Sequence, residues 1–229
     1  MTNQARAPKY YKRDFWGQEN LKFSQPHFRL EKAARLITKL AGGRLAGGRL
    51  AGGRELDLLD LGCGPAALQP LVPANVHYYG IDIAIQQPAP NLLEADLLAS
   101  PIRFGDRRFD LVLAQGVFEY LGNHQAQKFA EIAGLLRGPG STFVVSYVNF
   151  GHRDREIYWP YSNIQPLADF RASLAEHFVV RRQFATSHNW HHHEPVKEPV
   201  RTLNMHLNLN VPVISPKLAV EYFFLCSPK

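Results

Sequence analysis

The stretch that decides the fold is Leu56-Asp-Leu-Leu-Asp-Leu-Gly-Cys-Gly-Pro65. Its first six residues are mostly apolar and predict a strand that is buried on both faces, as the strands of a parallel sheet are. Gly62 and Gly64 follow at once, and glycine lets the backbone turn tightly and approach a ligand closely. A strand followed by such a loop is typical of a nucleotide-binding site.

Predicted strands and helices alternate along most of the chain after this stretch. Strands are predicted at 76–81, 92–94, 109–114, 141–147, 178–184 and 218–226, and helical segments at 24–40, 66–72, 122–137 and 165–177. This alternation predicts parallel βαβ units in a Rossmann-like, doubly wound α/β fold with helices on both faces of the sheet.

The chain divides into two predicted regions. Residues 1–54 hold an aromatic segment, the first helix and three copies of Leu-Ala-Gly-Gly-Arg at 40–54, whose six glycines favour a flexible linker. Residues 55–229 form the ligand-binding domain, with a substrate-side insert over 150–217. Within that insert, 187–217 is rich in His, Asn and Pro, and a loop of that length in a compact domain is usually functional.

Acidic residues near the predicted strand ends narrow the choice of ligand. Asp82 ends the second strand, where a carboxylate can accept hydrogen bonds from both hydroxyls of a ribose. The loop also satisfies the loose dinucleotide fingerprint Gly-x-Gly-x-x-Ala over 62–67, so NAD(P) stays open at this point. Asp60 favours a ligand with ammonium and sulfonium groups, since it would repel a pyrophosphate. Asp96 follows the third strand, where it could accept from an adenine amino group. Each aspartate could instead cap a turn or helix.

Residues 56–147 resemble a class I S-adenosylmethionine-dependent methyltransferase of the group that methylates small molecules. The motifs that carry the resemblance are Leu58–Pro65, Tyr79–Asp82, Ala95–Asp96, Phe109–Val112 and Val117–Leu121. The resemblance implies a seven-stranded sheet, mostly parallel, with an antiparallel last strand at 218–226. It implies S-adenosyl-L-methionine as cofactor, with the methionine part near the glycine loop, the ribose on the acidic end of the second strand and the adenine after the third. The residues expected to bind the cofactor are Asp60, Gly62, Cys63, Gly64, Asp82, Ile83, Asp96, Leu97 and Gln115.

Two positions depart from the pattern of that family. Its third loop glycine is Ala66 here, and we expect so small a residue to be tolerated. The helix after its fourth strand often begins with Glu-His, whereas this chain has Glu119-Tyr120. A substrate role for that histidine would therefore be missing from this chain.

Candidate catalytic residues lie in the insert. Methyl transfer mainly needs alignment of the reactants, and a base is needed only when the acceptor must lose a proton. His152 and His191 are the candidates, because histidine titrates near neutral pH. The histidines between His188 and Glu194 show no fixed metal-ligand spacing, so no metal site is predicted.

The predicted function is methyl transfer to an O or N atom of a small molecule, such as a natural product, a sugar or an envelope precursor. Alternatives are an RNA methyltransferase, favoured by the pI of about 9.4, an NAD(P)-binding oxidoreductase, and a non-catalytic cofactor-binding subunit. Nucleic acid is not the expected partner, because the fourth strand continues as Ala114-Gln-Gly-Val and lacks the Asn/Asp-Pro-Pro-aromatic motif of many nucleobase methyltransferases. The oligomeric state is left open.

The cellular location is predicted from features that the sequence does not show. The N-terminus has no apolar signal-peptide core, no apolar stretch approaches the ~20 residues of a membrane span, and the two cysteines suit a reducing environment. We therefore expect a cytoplasmic protein without a membrane span.

Overall fold

A computed structural model describes residues 13–19, 28–43, 54–149, 164–188 and 219–229. Its seven strands are β1 Leu56–Leu61, β2 Val76–Asp82, β3 Leu92–Glu94, β4 Leu111–Ala114, β5 Thr142–Val148, β6 Phe178–His188 and β7 Ala219–Pro228. They form one sheet in the order β3-β2-β1-β4-β5-β7-β6. The first five strands pair in parallel, and β7 runs antiparallel to both of its neighbours. The predicted Rossmann-like sheet with an antiparallel last strand is confirmed.

Helices cover both faces of this sheet. They are α1 Arg13–Glu19, α2 Phe28–Ala41, α3 Phe118–Leu121, α4 Gln125–Leu135 and α5 Leu167–His177, with short 3₁₀ segments at Gln69–Leu71 and Gly122–His124. One core layer joins α2 to one face of the sheet, and the other joins α4 and α5 to the opposite face. Because both faces are covered, all six residues of β1 are buried, as its near-continuous apolar run predicts.

The helix α2 is held against the sheet by an apolar stripe. Ala33, Leu36, Ile37 and Leu40 recur at helical spacing and are all buried. Lys32 reaches past them and donates from Nζ to the carbonyl oxygen of Ala185 in β6, at 3.2 Å. The stripe fixes the first turn of α2 beside the carboxyl ends of the strands, where ligands gather in such sheets.

Most predicted elements lie where the sequence placed them, and the differences have local causes. The predicted helix 122–137 begins as a 3₁₀ turn at Gly122–His124 and continues as α4, which ends at Leu135. The short helix α3 precedes it and was not predicted, and Gly122, with a φ of +50°, lies where α3 ends. The predicted strand 109–114 begins two residues late, since Phe109 forms only an isolated bridge to Leu136. The strand predicted at 178–184 extends to His188, because antiparallel pairing with β7 continues as far as Ala219.

Several predicted features lie outside the described residues. They include the aromatic residues before Arg13, residues 44–53 of the repeat and residues 189–218 of the insert. The described part of the region 150–217 forms α5 and the strand β6. Among the helices that the structure describes, none is long and apolar enough to cross a bilayer.

Candidate functional site

A cavity of about 240 Å³ lies at the carboxyl ends of β1, β2 and β4. Its walls come from the glycine loop after β1, the end of β2, the segment 115–120 after β4, and the helices α1 and α2. Of the nine predicted cofactor-binding residues, seven line the cavity: Gly62, Cys63, Gly64, Asp82, Ile83, Leu97 and Gln115. Parallel strands bring these residues together because their carboxyl ends meet at one edge of the sheet.

The glycine loop needs its glycines for two reasons. Gly62 and Gly64 have φ values of +72° and +54°, in the left-handed region that favours glycine. A side chain at Gly62 would also collide with Cγ2 of Val117. The loop therefore packs directly on the segment after β4, and its backbone forms part of the cavity wall.

Ala66 does not fit the loop as easily as the sequence suggested. It has a φ of +55°, in the left-handed region that the family's third glycine would enter freely. An L-residue in this region carries about 1–2 kcal/mol of strain. Our expectation that alanine is well tolerated here is corrected, since the turn keeps the conformation of a glycine.

Asp82 connects the end of β2 to the glycine loop. Its Oδ2 accepts a hydrogen bond from the N–H of Gly64 at 2.8 Å, and its Oδ1 accepts from the N–H of Ala84 at 3.0 Å. The side chain is buried and lines the cavity. Each carboxylate oxygen can accept a further hydrogen bond. Asp82 can therefore fix the loop and still accept from a ligand's hydroxyl groups.

Asp60 lies behind the loop rather than among the residues that line the cavity. It is buried, and its Oδ2 accepts from the hydroxyl of Tyr78 at 2.7 Å. Burial raises the pKa of Asp60 to about 7, with the Tyr78 hydrogen bond opposing that shift and the charge of Asp82 adding to it. The carboxylate thus lies one layer behind the cavity wall, and direct contact with a ligand stays a prediction.

Of the remaining predicted cofactor-binding residues, one caps a turn and the others line the cavity wall. Asp96 caps its own turn, since its Oδ1 accepts from the N–H of Leu98 at 2.8 Å, and it is not among the lining residues. Leu97 and Ile83 supply apolar wall. Burial raises the pKa of the Cys63 thiol, so this residue acts as a small apolar group rather than as a nucleophile.

The segment after β4 supplies polar groups that sequence reasoning missed. Glu119 lines the cavity, and only 7% of its surface is exposed. Its Oε2 has no hydrogen-bond partner among the described residues. Burial raises the pKa of Glu119 to about 7, with Arg29 opposing the shift and Glu221 adding to it. The available signal was a single carboxylate inside the apolar run Val117–Leu121.

Arg29 and Gln115 form the adjoining wall. Nε2 of Gln115 donates to the carbonyl oxygen of Arg29 at 3.2 Å, while Oε1 of Gln115 is buried without a partner in the described ranges. The Arg29 guanidinium forms an ion pair with Glu221 of β7, at 2.5 Å. This pair fastens the start of α2 to the sheet beside the cavity.

The helix α1 covers the cavity from the side of solvent. Arg13 pairs with Glu94 at 2.6 Å, and Nε2 of Gln86 donates to the carbonyl oxygen of Gly17 at 2.5 Å. The Trp16 ring meets the Tyr120 ring edge-on, with centroids 5.8 Å apart. The aromatic segment near the start of the chain thus supplies one wall of the cavity, through Trp16.

The predicted catalytic histidines, His152 and His191, lie outside the described residues, as does most of the segment His188–Glu194. Within the described ranges, no group of three or more His, Cys, Asp or Glu side chains is arranged to hold a metal ion.

The walls suit a nucleoside that carries a positive charge. The residues that line the cavity include Gly62, Gly64, the acidic Asp82, and Gln115 and Glu119. Gln115 and Glu119 each carry a buried acceptor oxygen without a partner in the described ranges. Such walls match hydroxyl and N–H donors better than a pyrophosphate, which the carboxylates would repel.

Comparison with known proteins agrees with this chemistry. The family described as "Methyltransferase domain" matches residues 26–191. A sequence search of curated proteins gave no match.

Three solved structures illustrate the shared fold. Magnesium protoporphyrin IX methyltransferase from Synechocystis PCC 6803, with bound S-adenosylhomocysteine, is 15% identical with a TM-score of 0.57, over 95% of this chain and 97% of that one. A methyltransferase from Haloferax volcanii in complex with the Trm112 activator is 17% identical with a TM-score of 0.59, over 97% of each chain. An S-adenosylmethionine-dependent methyltransferase from Clostridium acetobutylicum is 10% identical with a TM-score of 0.57, over 91% and 95%. Since the family match spans well over half of the sequence, the chain belongs to the methyltransferase domain family, a family of S-adenosylmethionine-dependent enzymes.

Proposed function

We propose that this enzyme methylates an O or N atom of a small molecule. The cofactor, when bound, supplies an electrophilic methyl group on a sulfonium, so the protein mainly has to align the acceptor and exclude water. The family assignment supports methyl transfer from S-adenosylmethionine, and the cavity supports the size class of the acceptor.

The order of the strands supports an orientation for the cofactor. Asp82 and Leu97 follow β2 and β3 on one side of β1, and the segment 115–120 follows β4 on the other. We assign the ribose to Asp82, the nucleoside base to the side of Leu97, and the methionine part to the side of Gln115. Asp60 contributes negative charge from behind the glycine loop.

The cover formed by α1 is the observation that carries the small-molecule assignment. Trp16 lies at the cavity, and its helix is held to the end of β3 by the Arg13–Glu94 ion pair. A cavity covered in this way excludes water from the reacting groups. It also leaves little room for a folded RNA, whereas a small acceptor can enter beside the helix.

Calorimetric titration with S-adenosylhomocysteine tests the cofactor site. We expect the wild-type protein to bind, and Asp82→Ala to weaken binding by about tenfold to a hundredfold or more, because hydrogen bonds from hydroxyls to a carboxylate are worth about 1.5–3 kcal/mol each. Asp106→Ala is the matched control, since it removes an exposed carboxylate that does not line the cavity. Equal affinities for both variants would contradict the ribose assignment.

The RNA alternative is separated by a second titration. A basic protein binds mixed RNA through phosphate contacts, and that binding falls steeply with salt. We expect any RNA binding to disappear at moderate salt while S-adenosylhomocysteine binding persists. RNA binding that survives, and that S-adenosylhomocysteine strengthens, would favour an RNA substrate.

A further inference from the structure

Two residues in the wall after β4 each carry a buried acceptor oxygen that has no hydrogen-bond partner among the described residues. These are Oε2 of Glu119 and Oε1 of Gln115, and both residues line the cavity. A buried acceptor without a partner costs about 1–3 kcal/mol, so native proteins rarely keep one that no ligand or water satisfies. Two such oxygens four residues apart, on one wall of the cavity, indicate that its occupant donates hydrogen bonds there.

Arg29 does not donate a hydrogen bond to Oε2 of Glu119, although its Nε is likewise buried without a partner among the described residues. The Arg29 guanidinium pairs at 2.5 Å with Glu221, although its charge acts on Glu119 from a distance. The groups that interact electrostatically with Glu119 are Arg29 from α2, Glu221 from β7, and the Tyr120 and Tyr147 hydroxyls. A donor on the occupant can therefore meet Glu119 without competing for an existing direct hydrogen bond to Oε2.

The position of this wall along the sheet indicates which part of the occupant it meets. Glu119 follows β4, whereas Asp82 follows β2, and β1 with its glycine loop lies between them. If Asp82 holds the ribose, as in the function proposed above, the wall after β4 lies at the far end of the cofactor, where the methyl group leaves. The inference rests on that proposed function.

We propose that Glu119 and Gln115 form the subsite for the methyl acceptor, and that Glu119 accepts the proton of its N–H or O–H group. The acceptor's lone pair forms the new bond to the methyl carbon, the electron pair of the broken methyl–sulfur bond stays on sulfur, and the proton moves to Oε2 of Glu119. Gln115 accepts a second hydrogen bond and orients the acceptor. The substrate class is therefore an amine, a hydroxyl compound or a phenol with a hydrogen on the methylated atom.

The titration of Glu119 suits this role. Burial raises its pKa to about 7, against an ordinary value of 4.5. A general base is most effective when its pKa lies near the working pH. Glu119 would thus be ionised in a large fraction of molecules at neutral pH and would hold the proton after transfer.

Sinefungin provides a direct probe, because it carries an amine in place of the methylated sulfur of S-adenosylmethionine. We expect wild type at pH 8 to bind sinefungin at least about tenfold more tightly than S-adenosylhomocysteine, since an amine that meets a buried carboxylate forms a charge-assisted hydrogen bond. In Glu119→Gln this preference should fall to about threefold or less, while the affinity for S-adenosylhomocysteine stays within about threefold of wild type. Glu176→Gln, which changes an exposed residue of α5, should leave both affinities unchanged.

The pH dependence of sinefungin binding gives a second readout. Wild type should show a sinefungin preference that increases from pH 6 to pH 8, as Glu119 loses its proton. Calorimetry in buffers of different ionisation enthalpy should show proton release on sinefungin binding near pH 7. Glu119→Gln should remove the part of that release that Glu119 contributes and leave only what Asp60, whose pKa is also about 7, gives up. A structural role for Glu119 would not produce this linkage.

The outcomes separate this proposal from the function on which it rests. Equal wild-type affinities for the two ligands, or a preference that persists in Glu119→Gln, would overturn the acceptor subsite while leaving the cofactor site intact. If neither ligand binds wild type, the proposed function fails, and the acceptor subsite fails with it.

Discussion

Replacement of Asp60 by asparagine should remove a specific pH dependence from the stability of this protein. In the folded chain, burial raises the pKa of Asp60 to about 7 from an ordinary value of 3.8. Between pH 3.8 and about pH 7, Asp60 is therefore protonated in the folded chain and ionised in the unfolded chain. The stability that this proton gives is complete below pH 3.8 and is lost as pH rises to about 7.

The magnitude follows from that interval. One proton bound only in the folded state changes the free energy of unfolding by about 1.4 kcal/mol per pH unit. Between pH 5 and pH 7, wild type should lose about 2–3 kcal/mol because of Asp60. The amide in Asp60→Asn does not titrate, so it causes no such loss. Relative to wild type, the free energy of unfolding of Asp60→Asn should therefore increase by the same amount between pH 5 and pH 7. A constant offset is expected from the amide, which must find its own hydrogen bonds.

Urea denaturation of both proteins at pH 5, 6, 7 and 8 measures this difference. Tyr78→Phe is the companion variant, because Tyr78 donates its hydroxyl hydrogen to Asp60 at 2.7 Å. Loss of this donor should destabilise the protein most at pH 8, where the carboxylate is charged. A difference between Asp60→Asn and wild type that is constant within about 0.5 kcal/mol across this range would refute the reasoning, since the expected change is several times larger.

Two further predictions concern packing and the cavity cover. Gly80→Ala should destabilise the protein by about 1–3 kcal/mol in thermal or urea unfolding, because its Cβ would lie 2.7 Å from Sγ of Cys63 and 2.9 Å from Cδ2 of Leu92. Gly134→Ala in α4, where nothing lies within 4 Å, should stabilise it by up to about 1 kcal/mol; the opposite order would contradict the packing. S-adenosylhomocysteine should change the tryptophan fluorescence of wild type, and Trp16→Phe should remove most of that change, because Trp16 lines the cavity. A change in Trp16→Phe as large as in wild type would mean that Trp16 does not report on the bound ligand.

The sequence predicted the sheet well because each central strand carries its own signal. The apolar run of β1 and the two glycines after it specify a buried strand and a tight loop without reference to the rest of the chain. The helix α3 was missed, since a single helical turn over Phe118–Leu121 is too short to show a periodic pattern of its own.

The residues predicted from the sequence cover the strand ends around the glycine loop, but not the part of the wall formed by Glu119, Arg29 and Trp16. Asp82 and Gly64 belong to neighbouring motifs only 18 positions apart, and they form a hydrogen bond in the fold, so the sequence pattern could predict that they share a site. Arg29 and Glu221 are 192 positions apart, and no local pattern reveals that they meet beside Glu119. Burial of Asp60 behind the loop likewise depends on the Tyr78 hydroxyl from the neighbouring strand, which the motif alone does not specify.

The position of β7 between β5 and β6 has a consequence for the order in which the chain assembles. β6 is made before β7, yet among the described strands its only partner in the sheet is β7. Until β7 emerges from the ribosome and inserts, β6 has no described strand on which to dock, and the edge of β5 stays open, whereas α5 can already pack on Tyr147 of β5 and Phe129 of α4. Pairing of β5 with β7 joins residues that are 73 positions apart at Val148 and Glu221 and 83 positions apart at Phe143 and Cys226, and contacts of that range form slowly. During synthesis, the nascent chain should therefore hold a partly built sheet of β1 to β5 with an unprotected edge, the stage at which a chaperone would have most to protect.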